Sequence, residues 1–155
     1  MKKLLSIVST VLFSAVFAAA ALAAEVKTPY FSLDLPDPWI QPQDVVNQNN
    51  ALVALFQNKT NGTAVTLTVV NAAMPARDVA EQTVSNMKAG GMESSKINEE
   101  NGLYTFSFAK GQGVSWVGSN GEQFAVTTVV GPDVASAKAM LKGLKPASDK
   151  LFPSF

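Results

Sequence analysis

Apolar residues run almost unbroken from Leu4 to Leu22, and from Glu25 onward the chain breaks into short segments with a period of two or of three to four. The period-two segments predict strands. In Pro29 to Pro36, Phe31, Leu33 and Leu35 alternate with Tyr30, Ser32 and Asp34, and proline closes both ends. Asp37-Pro38-Trp39 reads as a tight corner, and the polar stretch Ile40 to Asn50 as a loop. Ala51 to Gln57 is a mostly apolar strand, expected to be buried on both faces. Asn58 to Gly62 supplies a hairpin turn, and Thr63 to Val70 is the return strand, with Val65, Leu67 and Val69 on one side. Further along, Ser94 to Glu99, Leu103 to Ala109, Val114 to Val117 and Gln123 to Val130 read as four more strands. Asn101-Gly102, Lys110 to Gly113 and Ser119-Asn120-Gly121 connect them.

Two segments carry the helical period. In Pro75 to Met87, Ala76, Val79, Ala80, Val84 and Met87 form one apolar face, Pro75 suits a first turn, and Gly90-Gly91 ends the helix. Gly131-Pro132-Asp133 opens the second helix, whose stripe is Val134, Ala137, Met140, Leu141 and Leu144, with Pro146 as its stop. The order β, ββ, α, ββββ, α with short turns predicts an α+β fold: a mainly antiparallel sheet of about six strands covered by two helices. No repeat or internal linker divides residues 24-155, which are expected to form one domain.

The opening run has its own reading. Lys2-Lys3 precedes the apolar stretch, and Ala21-Leu22-Ala23 fits the small-x-small pattern of a signal-peptidase site. Residues 1-23 are therefore expected to be a cleavable signal peptide, although a run of this length also suits an uncleaved anchor. The absence of cysteine excludes lipid attachment at the end of the leader. The expectation is a periplasmic protein without a stable membrane anchor after cleavage.

Composition narrows the chemistry. The whole chain balances 12 basic against 12 acidic residues and has no His and no Cys. Losing Lys2 and Lys3 with the leader tips that balance slightly acidic. A single arginine and no basic cluster argue against nucleic acid as a partner. Without His and Cys, the usual zinc, copper and haem ligand sets and imidazole-based triads are unavailable, so no cofactor and no catalytic residues are assigned. Glu99-Glu100, the adjacent acidic pair, abuts an Asn-Gly turn and reads as a solvated strand end. Gly111-x-Gly113 lacks the spacing of a phosphate loop.

Tyr30-Phe31-Ser32-Leu33-Asp34-Leu35-Pro36 followed by Trp39 resembles the opening of the DcrB/PsbP-like superfamily, an aromatic-x-hydrophobic-x-hydrophobic-Pro-x-x-Trp pattern. The element order resembles that superfamily over the rest of residues 24-155. The resemblance implies an α/β/α sandwich around an antiparallel sheet. It also implies a role among assembly factors, extrinsic subunits or envelope proteins rather than enzymes, and it brings no catalytic set with it.

Three residues stand out as partner-binding candidates. Trp39 borders the polar loop, Trp116 lies between glycine-containing turns, and Arg77 is the lone arginine, in the first turn of a helix. Tryptophan and arginine are favoured at interface hot spots, while core packing accounts for either tryptophan and solvation for the arginine. The functional expectation is a non-enzymatic accessory protein that binds an envelope protein. The alternatives are a module with a small-molecule or lipid pocket between sheet and helix, and, more distantly, a carboxylate-based hydrolase.

Overall fold

The computed structural model describes residues 25–155. The predicted leader lies outside the described residues. Among the described residues, eleven strands form two antiparallel sheets, and two helices accompany them. The strands are β1 (Glu25–Lys27), β2 (Phe31–Asp34), β3 (Trp39–Ile40), β4 (Val46–Gln48), β5 (Ala51–Asn58) and β6 (Ala64–Val70), then β7 (Asn98–Glu100), β8 (Leu103–Phe108), β9 (Gly113–Ser119), β10 (Phe124–Val130) and β11 (Lys145–Pro146). Helix α1 is Ala76–Ala89 and α2 is Val134–Leu141.

The large sheet has eight strands in the order β3-β5-β6-β10-β9-β8-β7, with β4 also paired to β5. Its centre is long and regular. β5 pairs with β6 from Ala51↔Val70 to Gln57↔Ala64, and β10 pairs with β6 and β9 along its whole length. Both faces of these strands are covered, which explains why β5 reads as a continuous apolar run rather than an alternating one. α1 carries the chain from β6 in the middle of the sheet to β7 at its edge. Val79 and Ala80 of α1 pack over Phe106, Val117 and Phe124. The Thr83 hydroxyl satisfies itself by donating to the Val79 carbonyl at 2.7 Å.

The opposite face is covered differently. β1, β2 and β11 form a three-stranded sheet with β2 in the middle. Val26, Phe31 and Leu33 from this small sheet, Met140 and Leu141 from α2, and Leu151 and Phe152 from the tail share one core with Phe56, Leu67 and Trp116. Burying each such side chain contributes about 1.5–3 kcal/mol. α2 starts on a built cap: Asp133 Oδ1 accepts the Ser136 N–H at 2.9 Å. The β5–β6 turn docks onto that start, with Thr63 Oγ1 accepting the Asp133 N–H at 3.1 Å and Asn61 Nδ2 donating to Asp133 Oδ2 at 3.2 Å.

The expected architecture is thereby corrected. The protein is not a sheet of about six strands between two helical layers. It has an eight-stranded sheet and a second, three-stranded one, and the small sheet shares with α2 and the tail the face where a helical layer was expected. The extra strands are two or three residues long, too short for a period to show. The Ile40 to Asn50 loop contains the end of β3 and all of β4. Regular pairing after Ser94, which makes only an isolated bridge to Phe108, begins at Asn98. α2 ends at Leu141, and Pro146 pairs with Phe31 in β11 rather than stopping a helix.

Candidate functional site

A cleft of about 510 Å³ opens beside the edge of the large sheet. One wall is residues 91–95, which follow α1, and the other is residues 107–111, which leave β8. The two walls are stapled together. The Ser95 N–H donates to the Ser107 carbonyl at 2.7 Å, and the Ser107 N–H donates to Ser95 Oγ at 2.9 Å. The floor is apolar, with Phe108 and Met92 packed into the core under α1. Phe108 lies across Gly113, its ladder partner, where a Cβ would fall 2.2 Å from the ring carbon Cε2. Glycine at 113 therefore sets the floor.

The outer wall is conformationally unusual. Ala109, Lys110 and Gly111 all have positive φ, at 49°, 56° and 88°. Two other hairpins of the sheet turn in the same region with residues suited to it: Asn49-Asn50 between β4 and β5, and Asn101-Gly102 between β7 and β8. Asparagine and glycine enter that region at little cost, whereas an alanine or lysine is disfavoured there by roughly 1 kcal/mol or more. Strain of this kind concentrates at ligand clamps and functional turns. The wall presents the exposed Lys110 side chain, and the facing segment brings Glu93, Ser94 and Ser95. Charge of both signs, hydroxyl groups and an apolar floor suit a polar, extended ligand held by hydrogen bonds.

None of the three residues singled out from the sequence lines this cleft. Trp39 is buried in the core beneath the small sheet, and its strand pairs with Asn58 of β5. Trp116 belongs to that same core and is 5% exposed. Its indole is capped by the Phe155 ring, edge-on at 5.1 Å between centroids, and by the Lys138 ammonium at 5.5 Å. Arg77 lies on the other side of the sheet, exposed on α1, where its Nε donates to Glu81 Oε1 at 2.8 Å. The two tryptophans thus share a core, and the arginine is not brought to it. Glu81 raises the Arg77 pKa through that hydrogen bond and its charge. Nearby, Tyr104 donates to Glu99 Oε2 at 3.3 Å, and its pKa is raised by desolvation first and by the Glu99 charge second.

Glu99 and Glu100 both sit on the exposed edge strand β7, not in the cleft. Among the described residues no group of three or more acidic side chains is placed to hold a metal ion. No described helix is long and apolar enough to cross a membrane. The residues that sequence reasoning passed over are Ala109 and Lys110. Their only signal was a hairpin connection lacking the asparagine found in its neighbours.

No protein-family model, no curated protein and no solved structure matches this chain. The likeness of Tyr30 to Trp39 to the DcrB/PsbP-like opening therefore has no counterpart among them and carries no functional argument.

Proposed function

We propose that this protein is an exported, non-catalytic accessory protein of the cell envelope, and that it binds a segment of another envelope protein in the cleft between residues 91–95 and 107–111. The observation that carries this reading is the left-handed run Ala109-Lys110-Gly111 forming one wall. A fold that needed only a turn there has the Asn-Gly solution available and uses it at residues 101–102. Export rests on the leader pattern Lys2 to Ala23. The open shape, stapled walls and mixed polarity favour an extended polypeptide over a compact apolar ligand.

The test is photo-crosslinking in the envelope from a benzophenone amino acid at position 110, with the same probe at exposed Glu122 as the control. A discrete adduct from position 110 that is lost in Ser94→Trp, which fills the cleft, is the expected result. If position 110 gives the same products as position 122, or if Ser94→Trp folds and leaves the adduct intact, the cleft is not the binding site. A second reading, a small-molecule module, draws on the cleft volume, which lies within the range of about 300–1,000 Å³ typical of ligand sites. Native mass spectrometry of protein purified from the envelope separates the two, since a retained small ligand adds a fixed mass.

A further inference from the structure

The face of the large sheet opposite α1 carries a second feature, around Trp116. Trp116 projects from β9, and its ladder partner on β10 is Thr127, directly opposite and on the same face. Thr127 is fully buried, and its hydroxyl has no hydrogen-bond partner. Over the indole lie two groups that are themselves exposed. Phe155 sits edge-on to it, and the Lys138 ammonium lies 5.5 Å from the indole and 5.4 Å from the Phe155 ring. Phe155 is itself 38% exposed.

The segment that brings Phe155 there is pinned at Leu151 and Phe152. Leu151 and Phe152 are buried, and Phe152 meets Phe31 edge-on at 5.6 Å. The carbonyls of Lys150 and Leu151 lie against Gly118, where a Cβ would approach them to 2.3 and 2.7 Å. After Pro153 the chain is exposed again. Phe155 can therefore leave the indole without unseating Leu151 and Phe152. The edge-on pairing itself adds only roughly three- to tenfold beyond what the partly buried ring and the Lys138 contact contribute.

We infer that Phe155 is a displaceable plug, and that Trp116 with Lys138 forms a slot for an aromatic side chain of an acidic partner segment. Phe155 in place shows the ring geometry the slot accepts. The charge of the partner follows from the surroundings: Lys138 on α2 and Lys142, the residue that caps its C-terminal end, are both exposed and stand four residues apart, one above the other. Carboxylates flanking the incoming ring meet those ammonium groups. The slot is separate from the cleft, so the two sites stand or fall independently.

The experiment titrates the peptide acetyl-Asp-Glu-Phe-Glu-Asp-amide into the whole protein and into Phe155→Ala, following the Trp116 indole N–H by NMR. The expected result is a Trp116 shift in both, with Phe155→Ala binding about three- to tenfold tighter because the internal competitor is gone. Lys138→Glu, an exposed change that leaves the core intact, should weaken binding at least tenfold. It should also turn the preference toward acetyl-Lys-Lys-Phe-Lys-Lys-amide. Equal affinity of Phe155→Ala and parent, an unmoved Trp116 signal, or indifference to Lys138→Glu would each overturn the inference.

Discussion

Replacing Gly118 by alanine places a methyl carbon 2.3 Å from the Lys150 carbonyl oxygen and 2.7 Å from that of Leu151. The third neighbour, Leu103 Cδ2 at 2.9 Å, is the far end of a side chain and can rotate away. The carbonyls belong to backbone and cannot. Gly118 itself is held in the ladder opposite Ala125, so the tail is the part that yields. Lifting it exposes Leu151 and Phe152, now 1% and 2% exposed. At about 1.5–3 kcal/mol for each side chain, losing both costs about 3–6 kcal/mol. That is an upper bound, because the displaced tail keeps some contacts; a loss of about 3 kcal/mol is expected. Urea unfolding followed by tryptophan fluorescence reads this as a midpoint lowered by about 1–3 M, given a slope of about 1–3 kcal/mol per molar. Trypsin should also cut after Lys150 far faster in the variant. A double-mutant cycle with a chain ending at Ser148, which lacks both carbonyls, isolates the cause: once the tail is gone, Gly118→Ala should cost less than about 0.5 kcal/mol. A midpoint within about 0.3 M of the parent, with the tail still protected, would refute the close-approach reasoning.

Ala109→Asn should stabilise the protein by about 0.5–1 kcal/mol by relieving the left-handed strain, seen as a raised urea midpoint; unchanged or lower stability would remove the strain argument for the cleft. Asp133→Ala, which removes the α2 cap, should cost about 0.5–2 kcal/mol in the same assay, and a neutral result would show the cap to be idle. Tyr104 has a folded pKa raised above its ordinary value of 10.0. The folded state therefore favours the neutral phenol, a contribution fully present below pH 10 and lost as pH rises through the folded value. Stability should fall above pH 10 in the parent and fall less steeply in Tyr104→Phe, and superimposable pH profiles of the two would contradict this.

The long elements were legible because their length lets a pattern repeat. Val65, Leu67 and Val69 mark β6, and Ala76, Val79 and Ala80 mark the face of α1 that is buried. β3, β4 and β11 were not legible, since two or three residues carry no period and become strands only through a partner elsewhere in the chain. The same limit explains the missing second sheet. Phe31, Leu33 and Leu35 announced an alternating strand, but nothing in them said that its neighbours would be Glu25–Lys27 and Lys145–Pro146. The tryptophans were visible as large apolar residues, and burial of each is the ordinary outcome. The wall of the cleft escaped notice because Ala109 and Lys110 adopt a backbone region their residue types do not advertise.

The small sheet joins β2, near the beginning of the described chain, to β11, only nine residues before Phe155, and the tail completes the same core. That arrangement makes closure of this face wait for residues 145–152 in any process that delivers the chain starting from its amino end. A chain stopped short of Lys145 has no partner for the second edge of β2 and no Leu151 or Phe152 to cover Leu67 and Trp116. Such a chain stays open on one side, and its apolar face is available to a chaperone until residues 145–152 arrive.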